Sequence, residues 1–494
     1  MTGAASLLQA FAPLFAPRSV AVLGASPSGS GLGNAFIRRL RAYGYDGTIY
    51  PVHPTAVEVE GLPAYPSLGE TPDPVDYAYV AIGAERVPEA IAAARGRVRF
   101  AQIVSSGFAE TEAGAALQDR LLAAAAAASV RLLGPNCLGT HSPRGRLTYF
   151  DKVPAELGTI GVLSQSGGLS LDILRRGQNR GLGFSALVTL GNCADLGPAD
   201  LLEFLLADPE TRVIGLYIED VRDGRRLFDI LRSAAGAKPV VLLKGGQTQE
   251  GQRAAASHTG SMASDHRLWV ALARQTGMAM TETLDGFLDA LLAFQVLRPR
   301  AASPLRRVVL FGNGGGTSVL ASDAFARLGF DLVQFGPETA AALAGLRVPP
   351  GSSLANPIDV PGNALRQDEG HVAEGILRAV YHHVAPDAVV MHLNMPVLMG
   401  YADADLLGTL IGSALRVRAE QEGVALEGAG HLVLVLRSDG DEETDAHRRS
   451  YRARALAAGI PVFDELPAAA AALAALRAHE NFLHAEAKAS AAMS

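Results

Sequence analysis

The chain has 494 residues, enough for about three domains at roughly 150 residues each. Hydrophobic residues make up 49% and charged residues 19%, the balance of a well-buried globular chain and not of a disordered one. A net charge of −7 and a pI near 6.0 disfavour nucleic acid and an anionic membrane as partners, so an anionic ligand would have to be held by backbone amides and helix ends.

Two cysteines, Cys137 and Cys193, form neither a disulfide framework nor a metal-ligand spacing, so no metal site is expected and a reducing compartment fits. The first 19 residues have no basic leader region and contain Pro13 and Pro17. No apolar run approaches the ~20 residues of a membrane span. These features predict a soluble cytoplasmic protein.

Residues 1–150 read as a first domain. After a short amphipathic segment, Leu7 to Phe15, the β-run Ser19-Val20-Ala21-Val22-Leu23 breaks into Gly24-Ala25-Ser26 and a Ser/Gly loop that includes Gly31 and Gly33. A helical pattern follows from Asn34 to Tyr43. Strand, small-residue turn and helix N-terminus make a place where amides face a phosphate, although the strict G-x-G-x-x-G spacing is absent. The next strand ends Pro51-Val52-His53-Pro54 with no acid, which disfavours NAD and its ribose contacts. Further strands run Tyr77 to Ile82, Phe100 to Val104 before Ser105-Ser106-Gly107-Phe108, and Val130 to Leu133 before Gly134-Pro135-Asn136-Cys137. The alternation predicts a parallel, doubly wound, Rossmann-like sheet.

A second domain is expected over 151–300. Ile160 to Leu163 runs into Ser164-Gln165-Ser166-Gly167-Gly168 and a helix, a second candidate anion site. The strand Val213 to Ile218 ends at Glu219, and Val240 to Lys244 leads to Ala254-Ala255-Ala256-Ser257-His258-Thr259-Gly260-Ser261, read as a polar loop. A neutral imidazole there would be a nucleophile for a phosphoryl group, with Glu219 fixing its tautomer. The bland readings are a loop histidine that caps a turn and a solvated Glu219 paired with Arg222. After a hinge at Arg298 to Pro304, a third domain over 304–480 opens with Arg307 to Phe311 and a third glycine cradle, Gly314, Gly315, Gly316 and Thr317. Residues 481–494 read as a frayed tail.

Six motifs in order give the chain a family resemblance: Arg18 to Ser26, Gly134-Pro135-Asn136-Cys137, Ser164-Gln165-Ser166-Gly167, Tyr217 to Gly224, Ser257 to Ser261 and Asn356-Pro357-Ile358-Asp359. From Pro17 to about Leu476 it resembles the α subunit of NDP-forming acyl-CoA synthetases, the superfamily of succinyl-CoA synthetase and ADP-forming acetate–CoA ligase. The resemblance implies a CoA-binding domain followed by two flavodoxin-like domains. It implies CoA contacts at Gly24, Ala25, Ser26, Gly31, Gly33, Val52, His53, Pro54, Ser105, Asn136 and Cys137. Ser164, Gln165, Ser166, Gly167 and Gly168, opposed by Gly314 to Thr317, would hold phosphate. His258 would be the phosphohistidine and Glu219 its hydrogen-bond partner. His53 and Ile82-Gly83 depart from the Asn and Val-Pro usual at those places.

The implied reaction converts acyl-CoA, phosphate and NDP into acid, CoA and NTP. No segment after residue 304 resembles an ATP-grasp domain, so ATP or ADP with Mg would sit on a separate ATP-grasp β subunit. The expected assembly is a hetero-oligomer of α2β2 type, or a homodimer when alone. The small carboxylic acid or acyl-CoA would lie near Asn136, Cys137, Gly168 and Asn192. The alternatives are a non-catalytic CoA-binding regulatory protein of the same fold and a protein acyltransferase, for which no further domain is visible.

Overall fold

In the computed structural model the described residues are 2–259, 265–346, 348–365, 371–400, 406–422 and 430–493. They form two packed units, one of residues 1–178 with 182–282, the other of 179–181 with 283–494.

The first unit holds two sheets. Strands β1 (Ser19–Leu23), β2 (Thr48–Val52), β5 (Val75–Val80), β6 (Val98–Ile103) and β7 (Arg131–Leu133) pair in the order β2-β1-β5-β6-β7, all parallel. A small hairpin, β3 (Glu58–Val59) and β4 (Leu62–Pro63), stands apart. Every residue of β1 and β5 is buried, which explains their unbroken apolar reading. The helices of this part are α1 (Thr2–Phe15), α2 (Leu32–Ala42), α3 (Val87–Ala92) and α4 (Ala115–Ala127).

The second sheet contains β8 (Thr140–His141), β9 (Ile160–Ser164), β10 (Phe184–Thr189), β11 (Val213–Ile218), β12 (Val240–Lys244) and β13 (Ala279–Thr281). Its order is β13-β12-β11-β9-β10-β8, parallel except for the short β8 edge. With it run α5 (Gly167–Asn179), α6 (Pro198–Ala207), α7 (Gly224–Ala234), α8 (Gln249–Thr259) and α9 (His266–Thr276). The two sheets are joined by apolar and charged contacts. Phe15 stacks on Phe204 with ring centres 4.2 Å apart, and Arg144 grips the fully buried Asp208 with two bonds of 2.9 and 2.5 Å.

Helix α10 (Leu284–Val296) packs with the second unit, which runs from Thr283. The segment at residues 298–304 is tied to the end of the chain. Buried Glu480 accepts from the Arg300 amide at 2.9 Å and the Leu305 amide at 2.7 Å.

The unit's sheet comprises β14 (Arg307–Gly312), β15 (Asp331–Leu332), β16 (Ile358–Asp359), β17 (Ala388–Asn394), β18 (His431–Arg437) and β19 (Val462–Phe463), all parallel. Its order is β15-β14-β17-β18-β19, with β16 also on β14. Helices α11 (Gly315–Arg327), α12 (Pro337–Ala344), α13 (Gly362–Leu365), α14 (His371–His383), α15 (Met395–Met399), α16 (Leu406–Glu422), α17 (Glu442–Ala457) and α18 (Leu466–Met493) complete it. The predicted frayed tail is a correction: α18 continues through 481–493. Phe482 is buried, and His484 Nδ1 lies 2.8 Å from the Ala301 carbonyl.

Each sheet has one point where the strand order reverses: between β1 and β5, between β9 and β11, and between β14 and β17. In open parallel sheets the crevice at the carboxyl ends of such a pair is where ligands bind. The three small-residue turns singled out in the sequence follow β1, β9 and β14, one at each reversal.

Candidate active site

At the first reversal the glycines are dictated by backbone contact. Gly24 has φ +89°, and a β-carbon there would sit 2.1 Å from the Ala81 carbonyl oxygen. One at Gly33 would sit 2.4 Å from the Ala25 amide, so α2 can approach the turn only without a side chain. Buried Asn34 ties the turn down, accepting from the Ser26 amide at 2.9 Å and donating to the Ser26 carbonyl at 2.8 Å and to Glu60 at 2.8 Å. Gly31 caps α2, and Ala25 and Val52 are buried. His53 Nδ1 accepts from the Ala56 and Thr55 amides at 3.0 and 3.3 Å, while Pro54 is exposed. Ser105 Oγ donates to the Ile82 carbonyl.

The second reversal is the more elaborate. Ser164 Oγ donates to the Ser166 carbonyl at 2.8 Å, and Ser166 Oγ accepts from the Leu169 amide at 3.2 Å, capping α5. The amides of Gly167 and Gly168 open the helix without an intrahelical partner. A β-carbon on Gly168 would meet nothing within 4 Å. Gln165, expected to hold phosphate, is committed elsewhere. Its Oε1 accepts from the Glu219 amide at 2.5 Å and the Asp220 amide at 3.0 Å, and its Nε2 donates to the Asp220 carbonyl at 2.8 Å.

Glu219 is therefore a fixed residue and not a solvated turn carboxylate. It is 5% exposed, and its Oε1 accepts from Tyr217 at 2.9 Å. Beneath it the buried Lys244 ammonium donates to the Glu219 carbonyl at 2.8 Å and to the Gly245 carbonyl. Burial lowers the Lys244 pKa, while Asp220 and Glu219 favour its charge. The sequence reading missed Lys244. A lysine closing the otherwise apolar run Val240 to Leu243 was the available signal.

Two loops of the first unit meet across this reversal. A β-carbon at Gly191 would sit 2.2 Å from the Pro135 carbonyl oxygen, and the Asn192 and Ala194 amides donate to the Pro135 and Gly134 carbonyls at 3.0 and 2.9 Å. Asn136, at φ +59°, Cys137, Gly167, Gly168 and Asn192 line a cavity of about 220 Å³. All four residues expected around the acyl group are thus brought together. A neighbouring cavity of about 230 Å³ shares Gln165, Gly191 and Asn192. Cys137 is buried, its thiol pushed up by that burial and donating to the Leu133 carbonyl at 3.4 Å, which makes it a packing residue and a poor nucleophile.

Glu110 was also missed. Burial would raise its carboxyl, but hydrogen bonds from Asn192 and from the Gly107 and Phe108 amides outweigh that and hold it below the ordinary value. No sequence signal points to it, because Asn192 lies 82 positions away.

His258 lies in α8, so the expected polar loop is helical as far as Thr259. The His258 side chain, on which the pairing with Glu219 depends, lies outside the described residues, as do residues 260–264.

At the third reversal the predicted cradle already holds a carboxylate. Asp359 Oδ1 accepts from the Gly314 amide at 2.7 Å, and a β-carbon on Gly315 would sit 3.2 Å from Oδ2. Gly316 is exposed, and Thr317 Oγ1 accepts from Arg437 at 2.8 Å. An anion at this helix end would have to share it with Asp359.

Among the described residues no helix is long and apolar enough to cross a membrane. Residues 18–143 match a CoA binding domain and residues 157–294 a succinyl-CoA ligase like flavodoxin domain. The α subunit of acetate–CoA ligase [ADP-forming] II of Pyrococcus furiosus is 32% identical over 420 residues, covering 85% of this chain and 90% of that one. Acetate–CoA ligase [ADP-forming] I of Archaeoglobus fulgidus is 39% identical over 354 residues, 71% of this chain but 50% of that protein. The dinucleotide forming acetyl-coenzyme A synthetase 1 of Ca. Korarchaeum cryptofilum, solved with phosphate and ADP, superposes with a TM-score of 0.79 at 27% identity, covering 97% of this chain and 98% of that one. The chain belongs to the NDP-forming acyl-CoA synthetase family.

Proposed function

We propose that this chain is the acyl-CoA-handling subunit of an NDP-forming acyl-CoA synthetase, working in the cytoplasm with a separate ATP-grasp subunit that binds ADP or ATP with Mg. The observation that carries the reading is the clamp at the second reversal. Gln165, in the turn before α5, fixes the backbone of Glu219, and the same turn lines the cavity with Asn136 and Asn192. A binding protein has no need of a buried, oriented glutamate there.

Phosphate held on the α5 amides attacks the thioester carbonyl; a C–O bond forms, the C–S bond breaks, and CoA leaves as thiolate. His258 then takes the phosphoryl group from the acyl phosphate, forming a P–N bond and releasing the carboxylate. Glu219 accepts a hydrogen bond from one imidazole N–H so that the other nitrogen attacks. The phosphohistidine passes its phosphoryl group to NDP on the partner. The turn at Gly24 to Gly33, with Val52, His53, Pro54 and Ser105, holds the nucleotide end of CoA.

The test is intact mass after incubation with phosphate and a panel of short, branched and aromatic acyl-CoAs. One acid-labile phosphoryl group is expected on the wild-type chain and none on His258→Asn, with CoA binding retained. Labelling of His258→Asn would remove the assignment. CoA binding without labelling, even with the partner present, would favour a regulatory CoA-binding protein.

A further inference from the structure

Asn192 stands at the wall shared by the two cavities of the first unit. Its side-chain amide is not free to choose an orientation. Nδ2 donates to Glu110 Oε2 at 2.5 Å and faces Gln118 Oε1 at 3.4 Å, and both of these oxygens only accept. Turning the amide would set its oxygen against a carboxylate. The polar atom left to Asn192 is therefore Oδ1, an acceptor. Glu110 is itself held by the turn it closes, since Oε1 accepts from the Gly107 amide at 2.5 Å and Oε2 from the Phe108 amide at 3.2 Å.

A cavity of about 220 Å³ admits only a small part of a large ligand. The thiol end of CoA is such a part, and it brings two hydrogen-bond donors, the last amide N–H and the S–H of the free thiol. We infer that Glu110 is a positioning residue that fixes Asn192 as the acceptor for the thiol end of CoA. The inference rests on the acyl-CoA reading above and adds a specificity element to it. An Asn192 whose amide could turn would present a donor as often as an acceptor and would lose the match.

Glu110 also closes the turn at residues 107–110, so a merely structural role has to be told apart. Glu110→Gln keeps an acceptor for the turn amides but brings an NH2 group that lets Asn192 turn. Titration calorimetry of the full chain with CoA would compare wild type, Glu110→Gln, Asn192→Ala and the double variant, with thermal melts to check folding. Each single substitution should weaken CoA binding about tenfold, the upper end of the scale of one neutral hydrogen bond. The double variant should bind within about twofold of Asn192→Ala, because Glu110 then has nothing to position. Wild-type affinity in Glu110→Gln, or losses that multiply in the double variant, would overturn the inference. A wild-type chain that binds no CoA at all would instead overturn the proposed function, and this inference with it.

Discussion

Gln165 and His392 show how far a single buried polar group is governed by what it can reach. Gln165 spends its acceptor and its donor on the Glu219–Asp220 backbone, and so sets where Glu219 stands. His392, at the end of β17, is fully buried with Nε2 3.2 Å from Ser318 Oγ, and among the described residues its Nδ1 has no partner. Burial, then Arg437, push its pKa down to about 4. Because the folded value lies below the ordinary 6.5, the unfolded chain binds the extra proton first. Stability is then fully present above pH 6.5 and falls as pH drops towards 4, by about 3 kcal/mol for this group. Urea unfolding between pH 7 and 4.5 should show that loss in wild type and a shallower one in His392→Gln. Equal slopes would mean His392 is not held neutral.

At the scale of elements, α5 is the clearest test of a helix end used for an anion. Gly167 is packed, since a β-carbon would press on Leu138 at 2.9 Å, whereas Gly168 is open and its backbone is ordinary helix. Gly168→Ala should therefore leave stability unchanged or raise it, by up to about 1 kcal/mol, from helix propensity. It should also abolish phosphoryl labelling, because in the proposed mechanism the methyl group would occupy the phosphate's approach. Denaturant melts and intact mass on the same sample check both halves; retained labelling would put the phosphate elsewhere. The strands and turns around this helix were legible because fully buried parallel strands read as apolar runs ending in Gly and Ser. The helical state of 254–259 was not, since Ala254 to Ala256 sat between Gly251 and Gly260 and the pattern had no apolar stripe. Asp359 was legible as part of a motif but not as the occupant of the Gly314 amide 45 positions away, because side-chain contacts at that separation follow from topology alone. Gln165 was placed correctly in the turn, yet its orientation toward Glu219 depends on β9 and β11 being neighbours.

For the whole molecule, the decisive fact is how much of each relative the chain covers. It spans 90% of the Pyrococcus α subunit but only half of the Archaeoglobus ligase. Its three largely parallel sheets supply three switch-point crevices, and the proposed reaction needs a further place for the nucleotide. On the proposed function the chemistry divides at the phosphohistidine, with the steps before it on this chain and the transfer to NDP on the partner. The chain alone, given acyl-CoA and phosphate, should release free CoA in an amount no greater than the chain itself and then stop, because a phosphorylated His258 has no acceptor. Adding ADP and Mg should change nothing until an ATP-grasp subunit is supplied, whereupon ATP and CoA should appear together in equal amounts over many turnovers. A thiol assay beside a luminescent ATP assay follows both products. Multiple turnovers to ATP by this chain alone would show that it carries its own nucleotide site. Stoichiometric CoA release that ADP cannot extend would place the division of labour at His258.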